Sequence, residues 1–162
     1  MNYDFIFQKD WKRIYCDISY LIITYQLQKN NVIMGMKKFI GDFEINASKK
    51  MLYPYISTAS GLSQWFADDV NINEDKEYNF IYDDEDHLAV MAGHRVNQFV
   101  KFEFPEEGEE DDPAYIEIHL DENEITQSMY MKIVDYSDFD NEQDQYDVWE
   151  GLINNLKEIV GG

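Results

Sequence analysis

One helical stripe near the end of the chain limits what the rest can fold into. In "DQYDVWEGLINNLKEIV", Trp149, Leu152, Ile153, Leu156 and Val160 recur at i, i+3, i+4 and i+7, the spacing of a single helix face. Most of the preceding chain alternates with a period of two instead. An antiparallel sheet built that way has one apolar face to bury, and this is the only long apolar helix available to cover it.

The alternation is readable from Lys37. In "KKFIGDFEINA", Phe39, Phe43 and Ile45 share a face and Asp42 and Glu44 take the other. "SKKMLYPYI" reads as a short helix capped by Asn46 or Ser48 and limited or kinked by Pro54. "ASGLSQWF" reads as a second, with Leu62, Trp65 and Phe66 at helical spacing. Strand faces follow: Tyr78, Phe80 and Tyr82; then Leu88, Val90, Ala92, His94 and Val96; then Val100, Phe102 and Phe104. "PEEGEEDDP" reads as a long acidic hairpin loop between Pro105 and Pro113. Ile116, Ile118 and Leu120, then Met129, Met131 and Ile133, complete the pattern. The expected fold class is α+β, a curved antiparallel β-sheet wrapped around a long C-terminal helix, with two short helices after the first strand. Such a grip commonly leaves a cavity between sheet and helix.

Composition removes several functions. With 44% apolar and 15% aromatic residues, the 162-residue chain has the makings of a packed core. Its net charge of −20 argues against nucleic-acid backbones and anionic membranes, both of which need clustered Lys and Arg. The lone Cys16 rules out an internal disulfide and fits a reducing compartment. With no membrane-length apolar run and no signal-peptide pattern, the expected location is cytoplasmic. Residues 1–35 differ from the rest, with four basic and three acidic side chains. Two readings compete for them. One is an extension whose "YLIITYQL" (Tyr20 to Leu27) adds a strand or short helix. The other, which is favoured, is a segment upstream of a true start at Met36. The domain proper is placed at 36–162.

No nucleophile elbow, Walker loop, dinucleotide fingerprint, HExxH or paired-cysteine motif is present. Catalytic residues, metal ligands and cofactors are therefore expected to be none. Of the three histidines, His119 points outward by strand parity and His87 lies beside a turn. Only His94 shares an apolar face, either as a satisfied core histidine or as the polar group of a cavity. "DFDNEQDQYD" has alternating acids but fails as an EF-hand: Gln143 stands where the turn glycine belongs and Trp149 where the bidentate Glu belongs. Gly151, in the last helix, either permits close helix–sheet approach or leaves room beside a ligand.

The order of elements and two local motifs resemble the START-like (SRPBCC, helix-grip) superfamily, near the branch related to activators of the heat-shock-protein-90 ATPase. "INASKKMLYPYISTASGLSQWFADDV" is similar to that family's opening strand, first helix and "G-L-x-x-W-F" second helix. "YDVWEGLINNLKEIV" is similar to its closing "W-x-x-x-L-x-x-L" helix. In this chain the run before that helix, "DYSDFDNEQDQ", is very acidic where some relatives are hydrophobic or Gly-rich.

The resemblance implies a non-enzymatic domain that binds a small hydrophobic ligand between sheet and terminal helix. Its candidate lining is Trp65, Phe80, Tyr82, His94, Phe102, Ile118, Met131, Trp149 and Ile153. Trp65 and Phe66 would plug one end of the grip, with Asp68 and Asp69 facing water. Two alternatives remain open. One is a chaperone-related protein-interaction module acting through its acidic surface. The other is a cyclase- or hydrolase-type enzyme, which needs at least two convergent polar groups inside the cavity. Monomer and homodimer are both compatible with the sequence.

Overall fold

A computed structural model describes residues 35–109 and 111–161. The reading made above for Tyr20 to Leu27 lies outside them. Seven antiparallel strands form one curved sheet: β1 (Lys37–Ile45), β2 (Asp69–Ile72), β3 (Tyr78–Tyr82), β4 (Glu85–Arg95), β5 (Phe99–Glu109), β6 (Asp112–Glu122) and β7 (Met129–Ser137). Their spatial order is β1-β7-β6-β5-β4-β3-β2, so the first and last strands are neighbours. They pair from Lys37 opposite Ser137 to Ile45 opposite Met129. Helices α1 (Lys49–Ser57) and α2 (Ala59–Leu62) follow β1, and α3 (Glu142–Val160) closes the chain.

Local chemistry explains the joints. The Ser48 hydroxyl caps α1 by accepting from the Met51 amide at 3.2 Å. Pro54 lies inside α1 without ending it; α1 stops at Thr58, which also caps α2. The Thr58 hydroxyl donates to the Pro54 carbonyl at 2.7 Å and accepts from the Gly61 amide at 3.0 Å. At Gly61 the two short helices touch so closely that a Cβ would sit 2.1 Å from the Pro54 carbonyl oxygen. Asp83 and Asp84, both at positive φ, make the tight β3–β4 turn. Asn141 caps α3 by accepting from the Asp144 amide, and Gly161 ends it in the left-handed conformation. The acidic run before α3 thus spans the end of β7, the connection, the helix cap and its first turn.

The core fills the concave side of the sheet. Phe39, Phe43 and Ile45 of β1, Phe80 of β3, Val100, Phe102 and Phe104 of β5, Ile118 and Leu120 of β6, and Met131 and Ile133 of β7 are all buried there. Trp149, Ile153 and Leu156 bring the α3 stripe onto them, as the helical period required. Trp65 and Phe66 close one end. The Trp65 indole donates to the Tyr55 carbonyl at 2.9 Å, and the Phe66 ring stacks on Trp149 with centroids 5.6 Å apart. Asp68 and Asp69 are exposed.

Three expectations need correction. In β4 the buried phase is that of Ala89, not of Leu88, Val90 and Ala92; Val90 and His94 are exposed. Pairing with β3 and β5 sets this phase, placing Ala89 opposite Tyr78 and Met91 opposite Phe102 before a bulge shifts the register between Met91 and Gly93. The long acidic loop is mostly strand. Phe104 pairs with Ala114 and Gly108 with Pro113, so residues 105–107 bulge out of β5 and the hairpin turns only beyond Glu109. Gly151 faces solvent with nothing within 4 Å of a Cβ, so it serves neither helix–sheet approach nor a cavity.

Candidate functional site

At one end of the sheet, strand ends converge beside the N-terminal half of α3. Phe104, Ala114 and Ile116 make an apolar floor there, and Tyr82, His87, Glu107 and Asp135 stand around it. They enclose a cleft of about 200 Å³. On another side of Tyr82 a wider groove of about 420 Å³ runs between the Gln64–Asp68 segment and Val148, Leu152 and Asn155 of α3. Tyr82 lines both.

Each polar group has a local reason for its position. Asp135 continues the inward alternation of Met131 and Ile133 along β7, and only 4% of its surface is exposed. One carboxylate oxygen accepts from the Ser137 hydroxyl at 2.7 Å. The other accepts from the Gln145 amide at 2.5 Å and from the Trp149 indole at 2.8 Å. This buried acid therefore pins the first turns of α3 to the sheet. His87 lies on the inner face of β4 opposite Phe80, and the β5 bulge turns Glu107 toward it, with Nδ1 and Oε1 2.7 Å apart. Tyr82 packs edge-on against both His87 and Phe66, and its hydroxyl makes no hydrogen bond to any described residue. Its phenol is pushed well above the ordinary tyrosine value, first by burial and then by the negative charges of Glu107, Asp135 and Asp68. It is a neutral donor with no acceptor among the described residues.

The structure brings together eight of the nine expected lining residues. Trp65, Phe80, Phe102, Ile118, Met131, Trp149 and Ile153 join one continuous core and Tyr82 packs against it. They pack on one another there, and open space begins at Tyr82 and at the edge of Trp65. His94 does not join them; it pairs with Val100 beyond the β4 bulge and is exposed. The polar wall at the open space includes His87, Glu107, Asp135 and Ser137 with Tyr115 and Tyr136, none of which stood among the expected residues. For Asp135 a signal existed, because extending the Met129, Met131, Ile133 alternation by two reaches it. For Glu107 none did, since a three-residue bulge leaves no periodic trace.

A curved antiparallel sheet closed over a terminal helix, with a partly polar mouth at one end, defines a helix-grip domain. The chain belongs to the START-like superfamily, whose domain profile matches residues 33–162. Solved structures agree in fold. The Aha1 dimer from Colwellia psychrerythraea superposes with TM-score 0.61 at 16% identity, over 77% of this chain and 96% of that one. The protein BfR322 from Bacteroides fragilis gives 0.52 at 29% identity, over 76% and 90%. MLL2253 from Mesorhizobium loti gives 0.59 at 9% identity, over 77% and 97%. Among curated proteins none matches the chain in sequence.

Proposed function

We propose that this domain binds, without transforming, a small and mostly apolar molecule at the open end of the grip. The observation that carries this reading is the cleft itself, with an apolar floor of Phe104, Ala114 and Ile116 and a few polar groups at its rim, the pattern of a small-molecule site. The cleft alone is smaller than the roughly 300 Å³ at which such sites usually begin. The groove across Tyr82 supplies the remaining room, so a ligand would lie against both sides of that ring. The polar groups favour binding over catalysis. His87 is engaged by Glu107 and Asp135 by three donors, whereas the Tyr82 hydroxyl has no hydrogen-bond partner among the described residues and would orient a guest.

Native mass spectrometry of freshly purified protein tests the reading. It expects a co-purifying adduct of small-molecule mass that is lost on denaturation, together with a higher Tm than that of the stripped protein. A clean unliganded mass from repeated preparations, with no Tm gain from a panel of small apolar compounds, would overturn it.

The likeness to the Aha1 dimer and the charge of −20 favour a second reading, an acidic module that docks a basic protein partner. Capture of such a partner should weaken steeply with salt; capture indifferent to salt counts against it.

A further inference from the structure

The mouth of the cleft holds negative charge that its own wall does not balance. Two carboxylates line it, from Glu107 and Asp135. No lysine or arginine does, and among the described residues none forms an ion pair with either acid. The three donors that satisfy Asp135 are a hydroxyl, an amide and an indole, all neutral. Among the described residues the one basic group lining it is the His87 imidazole, already held by Glu107. Beside the acids stand the aromatic rings of Tyr82 and Phe104. An anion entering this space meets two carboxylates and, among the described residues, no lysine or arginine, only an imidazole already engaged by Glu107. An ammonium group meets two carboxylates and electron-rich ring faces, the combination that recognises organic cations.

Building on the small-ligand reading above, we propose that the cleft selects an organic cation: an amine or quaternary ammonium carried on a compact apolar body, and not a carboxylate such as a fatty acid. The apolar body rests on Phe104 and Ile116, and the charge sits between Tyr82 and the two acids. The elevated titration of Tyr82 fits, since the same carboxylates that would attract a cation oppose a phenolate.

Three probes share one ring and differ only in their head group: benzyltrimethylammonium, benzyl alcohol and benzoate. Binding is read by calorimetry and by backbone chemical shifts around Tyr82 and Asp135. The cation should bind about tenfold or more tighter than the alcohol, with benzoate weakest. Glu107→Gln should weaken the cation roughly fivefold and leave the alcohol unchanged. Glu122→Gln, at the far end of β6, should change neither and controls for attraction by overall charge. Benzoate binding as tightly as the cation, or equal losses from the two substitutions, overturns the cation preference. Alcohol binding without any cation preference does so too while sparing the small-ligand reading. If none of the three probes binds, both fail.

Discussion

At the scale of single residues, Asp135 couples helix to sheet. Its buried carboxylate is the common acceptor for Ser137, Gln145 and Trp149. Asp135→Asn keeps the volume but replaces a charged acceptor by a neutral amide, whose oxygen can serve Gln145 and Trp149 only while its NH2 donates to the Ser137 hydroxyl, so the charge-assisted bonds are weakened. The expected loss is about 1–3 kcal/mol, read as a lower urea midpoint at unchanged m-value. Trp149→Phe in the same background should then cost less than it does alone, because the bond it removes is already weakened by loss of the acceptor's charge. Two glycines make an opposed pair. Gly61→Ala forces a Cβ against the Pro54 carbonyl and should destabilise by more than about 2 kcal/mol. Gly151→Ala meets open space on the exposed face of α3 and should stabilise by roughly 1 kcal/mol, through helix propensity alone. Thermal denaturation that moved both variants in the same direction would contradict this account of the two sites.

At the scale of elements, legibility followed amphipathicity. β1, β5, β6 and α3 each carry most of their large apolar residues on one face, with exceptions such as Ile40 and Val148, and their inward sets were readable from spacing. β4 does not. "HLAVMAGHR" has Leu88 and Val90 in one phase and Ala89 and Met91 in the other, so both faces are apolar and the period is silent about which is buried. Long-range pairing decides it, and pairing is not a local property of the sequence. His94 was misplaced for that reason. The hairpin of β5 and β6 was obscured differently: the acids and prolines around Gly108 mimic a loop, yet Gly108 pairs with Pro113 and Glu109 with Asp112, which carries the ladder past the bulge. The phase of β4 is open to a direct check. Val90→Thr should change stability by no more than about 0.5 kcal/mol, because the side chain faces water. Ala89→Asp would bury a charge opposite Tyr78 and should abolish cooperative unfolding or leave the chain insoluble. The reverse ranking would restore the phase expected from the sequence.

At the scale of the whole molecule, the acidic surface and the aromatic core act on stability together. A chain at −20 is strained by self-repulsion, and every further negative charge adds to it. Tyr78 and Tyr82 withhold two such charges. Both are raised above the ordinary value of 10.0, with burial the larger cause in each; the neighbour Tyr53 adds for Tyr78, and Glu107, Asp135 and Asp68 add for Tyr82. In the unfolded chain these phenols ionise near pH 10, whereas in the folded chain they stay protonated at that pH. Between the unfolded and folded values the folded state therefore binds more protons, so the free energy of unfolding falls as pH rises. Their contribution is complete below pH 10 and is lost progressively above it, in the same direction as the growing net repulsion. Urea titrations at pH 8, 9, 10 and 11 should show a nearly level plateau and then a steep fall. Tyr82→Phe should flatten part of that fall, because a ring that cannot ionise in either state has no proton linkage. A fall equally steep in Tyr82→Phe would mean that Tyr82 contributes nothing to alkaline unfolding and that its phenol is not held among carboxylates.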